Sequence, residues 1–252
     1  MSEIVLKAEN LKKVFSAGKR ALVAVDGVSF ALERGQCLGI VGESGSGKST
    51  IARMMTRLTD VTDGTIILNG KDITHVKGKE LRDTYREIQM VFQMPMESFD
   101  PRRTLGDGIG ESLRNRKVKK AERKARVRAL LADCGLSEEF AARYPHQVSG
   151  GQCQRAAIAR ALAVNPSVLI CDEATSALDV TVQKQIVELL IRLKQSGSLS
   201  FLLICHDLAL VQRLCDTVLV LQHGKAVEYG ETQQVLLHPQ QEYTKRLIAS
   251  VL

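Results

Sequence analysis

The sequence is poor in aromatic residues and has no long apolar run. Aromatic side chains make up 4% of the 252 residues, and tryptophan is absent. The longest apolar runs, at residues 168–171 and 201–205, are far shorter than the roughly 20 residues that a membrane-spanning helix needs. Residues 1–10 also lack the basic segment and apolar block of a signal peptide. These absences predict a soluble protein that stays in the compartment where it is made.

The six cysteines are scattered along the chain and form no C-x-x-C pair. Several lie inside apolar runs, as Cys171 does after Leu169 and Ile170. Because a free cysteine behaves as a small apolar residue, we interpret these positions as buried thiols. Their spacing supports neither a metal cluster nor a disulfide framework.

The charge balance is basic, with a formal net charge of +7 and a pI of about 9.1. Much of the excess lies in residues 114–128. At the end of this basic run and just after it, Val127, Leu130, Leu131 and Cys134 repeat at the spacing of an amphipathic helix. A solvated helix face is the simplest interpretation of this basic run. A nucleic acid or an anionic membrane leaflet would also suit its charge. No aromatic residue interrupts the run, which argues against binding of single-stranded nucleic acid.

Strand and helix patterns alternate along most of the chain, whose length suits one large α/β domain. Hydrophobic residues make up 44% and charged residues 25%, which is ordinary for a globular protein. The alternation indicates a parallel sheet built from βαβ units, and a mainly helical stretch at about 94–165 is predicted to be an inserted subdomain. The predicted strands are 4–11, 23–32, 36–41, 65–68, 88–92, 168–171 and 201–205, with a hairpin of 218–221 and 226–229. One predicted helix begins at Lys48, and two others span 181–194 and 208–214.

One glycine-rich segment carries the strongest chemical signal. It fits the P-loop pattern G-x-x-x-x-G-K-[ST], and it lies between an apolar strand and a helical pattern, as a P-loop requires. Glycines let the backbone approach a phosphate closely, so successive N–H groups form an anion site to which the next helix adds its dipole. Lys48 is predicted to bridge the β- and γ-phosphates of ATP or GTP, and the Ser49 hydroxyl to bind Mg²⁺. The residues predicted to hold the nucleotide are Gly42, Glu43, Ser44, Gly45, Ser46, Gly47, Lys48, Ser49 and Thr50.

Two adjacent carboxylates follow the apolar strand at 168–171. A P-loop needs an acidic metal partner at the end of a neighbouring strand, and Asp172 is predicted to hold Mg²⁺ there. Glu173 is one residue further on and points elsewhere, where it can orient and deprotonate an attacking water. A solvated acidic pair would be the alternative for such residues in isolation.

A second anion-binding helix start is predicted at Ser149, Gly150, Gly151 and Gln152, directly before a helical pattern. One nucleotide does not need two such sites from one subunit. The second site makes sense if it covers the γ-phosphate that another copy holds, so the active site would lie between subunits. An ordinary N-cap with a flexible entry is the alternative when the segment is considered alone.

Taken together, these motifs resemble the ABC ATPase family, whose signature is usually L-S-G-G-Q; Val148 here replaces the leucine. Gln93 resembles the family's Q-loop glutamine, which contacts Mg²⁺ and reports to the membrane partner. Residues 176–179, ending in Asp179, resemble the D-loop that crosses the dimer interface. His206 resembles the switch histidine that contacts the γ-phosphate.

Phe15 resembles the aromatic residue that stacks on adenine, with a core phenylalanine as the alternative.

The resemblance covers nearly the whole chain and implies a single ABC-type domain over 1–252, which is an α/β P-loop NTPase with an antiparallel β part. Residues 1–93 and 166–252 would form the ATPase core around the helical subdomain. ATP and Mg²⁺ would bind at the P-loop, Glu173 would polarise water, and Gln93, Lys48 and His206 would take part in hydrolysis.

A narrower resemblance, at residues 93–102 and 238–247, is to the ATPases of oligopeptide, dipeptide and nickel importers. It implies two transmembrane permease subunits, a second identical or related ATPase subunit, an extracytoplasmic solute-binding protein acting indirectly, and a location on the inner face of the cell membrane. No nucleic-acid partner is expected. An exporter ATPase, or a soluble ABC ATPase acting on DNA or ribosomes, remains an alternative, although the coiled-coil insert or second cassette usual in the soluble class is absent. A P-loop kinase would leave Ser149 and Glu173 without a role.

Overall fold

The computed structural model describes residues 3–17, 20–174, 179–197 and 199–250. Its first part is a four-stranded antiparallel sheet with the strand order β2-β1-β4-β5. The strands are β1 (Ile4–Ala17), β2 (Arg20–Glu33), β4 (Asp63–Leu68) and β5 (Lys71–Asp72). Strands β1 and β2 extend beyond the predicted 4–11 and 23–32, because their antiparallel pairing continues to the end of the hairpin, where Ala17 faces Arg20.

The second sheet has six strands in the order β10-β9-β3-β8-β7-β6. All neighbours in it are parallel except β9 and β10, which form the predicted antiparallel hairpin. The strands are β3 (Cys37–Val41), β6 (Ile88–Val91), β7 (Val168–Asp172), β8 (Ser200–Ile204), β9 (Thr217–Gln222) and β10 (Lys225–Glu231). The predicted α/β fold with an antiparallel part is therefore confirmed.

Ten α-helices complete the described part of the chain, and three short 3-10 segments join them. Four helices lie in sequence between β6 and β7, where the helical stretch was predicted. None of the described helices is long and apolar enough to cross a membrane. The helices are α1 (Lys48–Met55), α2 (Gly78–Glu87), α3 (Leu105–Ile109), α4 (Glu111–Asn115), α5 (Lys120–Asp133), α6 (Gly150–Leu162), α7 (Val180–Gln195), α8 (Leu208–Leu214), α9 (Thr232–Leu237) and α10 (Glu242–Ala249); the 3-10 segments are Pro95–Ser98, Glu138–Ala142 and Pro145–Gln147.

Two apolar clusters cover the two faces of the parallel sheet. Side chains alternate along each strand, so Phe201 and Leu203 of β8 join one cluster while Leu202 and Ile204 join the other. The first cluster includes the apolar faces of α5 to α8, and the second joins the sheet to α1 and the antiparallel sheet. All six cysteines are free and buried, as predicted, and burial raises the pKa of the Cys205 thiol to about 12. This packing fixes the carboxyl edge of the sheet, from which the candidate site is built.

Candidate functional site

The loop between β3 and α1 has a backbone that favours glycine at three positions. Gly42, Gly45 and Gly47 have φ angles of 148°, 77° and 106°. A Cβ atom at Gly42 would overlap the carbonyl oxygen of Leu221, and one at Gly47 would overlap that of Ala24. Gly47 is the N-cap of α1, and no side chain caps that helix. The first N–H groups of α1 therefore have no side-chain acceptor, which suits an anion.

Neighbouring elements tie this loop in place. The carbonyl oxygen of Ser46 accepts a hydrogen bond of 2.9 Å from the N–H of Gly224, in the turn between β9 and β10. The N–H of Glu43 donates to the hydroxyl of Tyr243 on α10, at 3.2 Å. The Ser46 hydroxyl is buried and has no hydrogen-bond partner among the described residues. A buried hydroxyl without a partner is costly, so its position in this loop favours a polar ligand.

Replacing Tyr243 with phenylalanine is expected to raise KM for ATP about fivefold, with little change in kcat. The variant leaves the N–H of Glu43 without its partner, which costs about 1 kcal/mol and loosens the loop before any nucleotide binds. Steady-state ATP hydrolysis would measure the effect. Tyr229→Phe is the matched control, because it also removes one hydroxyl hydrogen bond, to the carbonyl of Ala31. An unchanged KM, or an equal rise in the control, would show that Tyr243 does not position the loop.

Lys48 is almost fully buried, with 5% of its surface exposed. Its ammonium group donates to the carbonyl oxygens of Gly42 and Glu43, both at 2.8 Å, so the loop curls around its own lysine. Burial lowers the pKa of Lys48, while the nearby carboxylates of Glu173 and Asp172 act in the opposite direction. A cation held this way is positioned to meet a polyphosphate at the loop.

Asp172 lies at the end of β7, two strands from β3, and accepts a 2.9 Å hydrogen bond from the Ser49 hydroxyl at the start of α1. The carboxylate is 7% exposed. Burial raises its pKa, although the Ser49 hydrogen bond lowers it. The described residues contain no cluster of three acidic, His or Cys ligands. One carboxylate and one hydroxyl are nonetheless the oxygen donors from which a phosphate-bound Mg²⁺ is usually held, so the pair fits this ion.

Replacing Asp172 with asparagine is expected to raise the thermal midpoint of the nucleotide-free protein at neutral pH. The pKa of Asp172 is raised by folding, so its charged form costs folding free energy above that pKa, and the cost is lost as the pH falls through it. Asparagine removes the charge and can still accept from Ser49. Thermal unfolding at neutral and at acid pH would measure the midpoint, and we expect the gain over the wild type to be smaller at acid pH. Asp133→Asn, at an exposed position, is the control. A lower midpoint than the wild type at neutral pH would contradict this account.

Glu173 follows directly and turns away from the strand, with a φ of 49° that is strained for a glutamate. Its N–H donates to the carbonyl of Ile204 on the adjacent strand, at 2.9 Å. Its carboxylate accepts a 2.9 Å hydrogen bond from the side-chain amide of Gln93, which comes shortly after β6. The structure thus brings together two side chains that are 80 residues apart, and the separate motifs do not reveal this contact. The strand before Gln93 ends at Val91 rather than at 92.

His206 is exposed and follows β8 at the same edge of the sheet. The next residue, Asp207, caps α8 by accepting from the N–H of Leu210 at 3.0 Å, which fixes the chain just after the histidine. Because β8 lies between β3 and β7, His206 comes from the strand between those that supply Lys48 and Asp172.

The segment of Ser149, Gly150, Gly151 and Gln152 begins the 13-residue helix α6. Ser149 and Gln152 form a capping box, in which each side chain accepts from the other's backbone N–H. A Cβ at Gly151 would overlap Val182 of α7, so this glycine also allows two helices to pack closely. Within the described ranges, no hydrogen bond joins this segment to residues 42–50 of the same chain.

Two further predicted residues have distinct surroundings. Phe15 is 43% exposed on β1, with the Lys13 ammonium 5.0 Å from its ring centre, so it is not a core residue. Asp179 caps α7 by accepting from the N–H of Val182 at 3.0 Å. The other D-loop residues, 176–178, lie outside the described residues. Tyr243 was not predicted as a site residue. The sequence feature that could have identified it is its position within 238–247, one of the two segments that resemble importer ATPases.

A family model described as ABC transporter matches residues 25–176. The chain is 46% identical over 242 residues to the oligopeptide transport ATP-binding protein OppF of Salmonella typhimurium, covering 95% of this chain and 72% of that protein. It is 44% identical over 252 residues to the dipeptide transport ATP-binding protein DppF of Lactococcus lactis subsp. cremoris, covering 98% and 81%.

Two solved structures have folds similar to that of this chain. A dimeric post-hydrolysis structure of the ATP-binding cassette MJ0796, bound to ADP and Pi, has a TM-score of 0.81 at 29% identity and covers 90% of this chain and 98% of that one. The structure of cbiO1 from Clostridium perfringens, part of the ABC transporter complex cbiONQ, has a TM-score of 0.83 at 28% identity and covers 94% and 92%.

Proposed function

The chain belongs to the ABC transporter family, and from this premise we propose that it is the ATP-hydrolysing subunit of a membrane importer that takes up peptides. The observation that carries the proposal is the convergence of three contacts at one edge of the sheet. Lys48 lies inside the glycine loop, Ser49 contacts Asp172, and Gln93 contacts Glu173. Together they provide an anion site, a metal ligand pair and a base, which are the parts that phosphoryl transfer to water requires.

ATP binds at the glycine loop. The free N–H groups at the start of α1 and the unpaired Ser46 hydroxyl surround the phosphates, and the Lys48 ammonium exchanges its two carbonyl partners for phosphate oxygens. The exposed ring of Phe15 supplies a flat surface for the adenine, beside the Lys13 cation. Each group is available without unfolding any described element.

Ser49, Asp172 and Gln93 are the residues that would hold Mg²⁺ with the phosphates. When bound, the ion neutralises charge on the β- and γ-phosphates. Burial disfavours the charged form of the Asp172 carboxylate, and a bound cation would offset that cost. Ser49 already lies against it, so the hydroxyl and carboxylate are preorganised.

Glu173 takes a proton from the attacking water, whose oxygen forms a bond to the γ-phosphorus as the bond to the bridging oxygen breaks. The hydrogen bond from Gln93 orients the Glu173 carboxylate before ATP arrives. His206 and Lys48 donate to the oxygens on which negative charge develops. We therefore assign Glu173 as the general base and Gln93 as its positioning partner.

A second ATPase subunit completes the site. The exposed start of α6 at Ser149 and Gly150 has no hydrogen bond to its own glycine loop in the described ranges, so it is free to close on the γ-phosphate held by a facing subunit. The dimeric structure of MJ0796 with ADP and Pi supports this arrangement, because that cassette resembles this chain. Asp179, at the start of α7, belongs to the same proposed interface.

Two permease subunits would dock beside Gln93. Met94 and Met96, 55% and 43% exposed, place apolar surface immediately after that glutamine, on the segment leading into the helices at 94–165. We retain the division into an ATPase core, 1–93 and 166–252, and an inserted helical subdomain. Peptides are the proposed cargo rather than nickel, because similar proteins are named for oligopeptide and dipeptide transport.

Affinity purification of the tagged protein from its host in mild detergent tests this function. We expect two polytopic membrane proteins to co-purify, and disruption of this chain to abolish accumulation of a labelled peptide inside intact cells. Co-purification of ribosomal proteins or DNA without a membrane subunit would overturn the importer. Increased peptide accumulation after disruption would instead assign an exporter.

A further inference from the structure

The positive charge of this protein is concentrated in one short segment. Residues 114–128 contain nine of the 35 lysine and arginine side chains but only one of the 28 acidic side chains, Glu122. The rest of the chain carries 26 basic and 27 acidic side chains and is nearly neutral. The net charge of +7 is therefore a property of this segment and not of the surface as a whole.

The fold holds part of this segment in a fixed reversal between α4 and α5. The N–H groups of Arg116 and Lys117 donate to the carbonyls of Ser112 and Arg114, at 3.1 and 2.9 Å. Lys117 adopts a φ of 60°, and Val118 packs its side chain against the main apolar cluster. The lysines on either side of Val118 consequently point outward from an anchored turn.

Four of the nine cations are engaged with the protein. Arg114 and Arg128 form ion pairs with Glu111 and Glu138, and Arg126 donates to the side chain of Asn165. Arg123 is half-buried and lies against Gly110. The remaining five are exposed, and none has an ion-pair partner within 4.0 Å in the part of the chain that the structure describes. We name these five the basic turn: Arg116, Lys117, Lys119, Lys120 and Lys124.

We propose that the basic turn binds the anionic headgroups of the membrane beside which the transporter works. The cytoplasmic loops of permeases carry an excess of lysine and arginine. These loops have the same sign of charge as the basic turn, so they do not provide it with an oppositely charged partner. No aromatic side chain lies in 114–128 to stack on bases of a single strand. An anionic leaflet is the large, flat and diffuse partner that attracts unpaired lysines. The proposal rests on the proposed function for placing the chain next to a bilayer.

Flotation of the purified full-length protein with lipid vesicles tests this contact directly. Wild-type protein is expected to bind vesicles that contain phosphatidylglycerol, to ignore pure phosphatidylcholine vesicles, and to be released by salt. Each lysine close to an anionic surface strengthens binding about fivefold, so the triple variant Lys117→Gln, Lys119→Gln, Lys120→Gln should bind about a hundredfold more weakly. The matched control, Lys71→Gln, Lys77→Gln, Lys79→Gln, removes the same charge from exposed positions in and around β5 and α2 and should bind like the wild type.

Equal losses in the two triple variants would overturn the proposal, because they would show an effect of total charge. Tighter binding of duplex DNA or RNA than of anionic vesicles, through the same three lysines, would replace the lipid with a nucleic acid. The ATP hydrolysis rate in solution separates this proposal from the proposed function. A triple variant that hydrolyses ATP normally and loses vesicle binding supports the lipid contact, whereas wild-type protein that hydrolyses ATP but ignores anionic vesicles overturns the lipid contact alone.

Discussion

Replacing Glu173 with glutamine is expected to slow ATP hydrolysis about a thousandfold while ATP still binds. Glutamine has the size of glutamate, and its carbonyl can accept the hydrogen bond that Gln93 now donates at 2.9 Å. It cannot accept a proton from water, and loss of a general base typically costs 10²–10⁴-fold, or on the order of a thousandfold. The release of inorganic phosphate measures the rate of ATP hydrolysis. Size-exclusion chromatography in the presence of ATP should show a trapped dimer, because hydrolysis no longer opens the dimer.

The surface variant Glu80→Gln is the control for Glu173→Gln, since it makes the same chemical change on an exposed face of α2. It should hydrolyse ATP like the wild type and show no trapped dimer. Wild-type turnover by Glu173→Gln would remove Glu173 from the role of base. Loss of ATP binding in that variant would show instead that Glu173 shapes the nucleotide site, which would also contradict our assignment.

Replacing Lys48 with methionine is expected to weaken ATP binding more than about a hundredfold and to abolish measurable hydrolysis. Methionine fills similar buried volume but cannot donate to phosphate, and charge-assisted hydrogen bonds are about twice as strong as neutral ones. The carbonyls of Gly42 and Glu43 also lose their shared partner, so the loop around them relaxes. Equilibrium titration with a fluorescent ATP analogue would measure the affinity.

Two comparisons make the Lys48 experiment specific. Lys77→Met changes an exposed lysine at the start of α2 and should leave the affinity unchanged. Lys48→Arg keeps the charge but not the compact ammonium, and should recover part of the affinity and little of the turnover. Near wild-type ATP affinity in a folded Lys48→Met protein would show that the glycine loop binds nucleotide without its lysine.

Elements with a strong apolar pattern were predictable, and elements without one were not. The strands of the parallel sheet follow from short apolar runs because they are buried on both faces, as at Cys37–Val41 and Val168–Asp172. Helix α2 was not predicted, since only Thr84 in it is buried and the sequence therefore carries no apolar stripe. Helices α9 and α10 are short and bury few residues, so they left an equally weak signal.

The sequence by itself determined the local features of backbone and secondary structure that contiguous residues encode. Glycines at fixed spacing define the backbone of the loop before Lys48, and a serine before two glycines defines the cap of α6 at Ser149. An apolar strand that ends at Asp172, with Glu173 directly after it, marks the two carboxylates. Each of these depends on backbone geometry over a few residues, which local sequence controls, and together they were enough to identify the family.

Only the tertiary structure decided which distant residues meet. The strand order β3-β8-β7-β6 brings Ser49 to Asp172 and Gln93 to Glu173, and the return of α10 brings Tyr243 to the glycine loop. Close packing of α6 on α7 gives Gly151 a second role. These contacts depend on how sheets and helices pack, because they join residues that lie between 31 and 200 positions apart in the chain. That packing is set by the whole core at once, so no single stretch of sequence carries it.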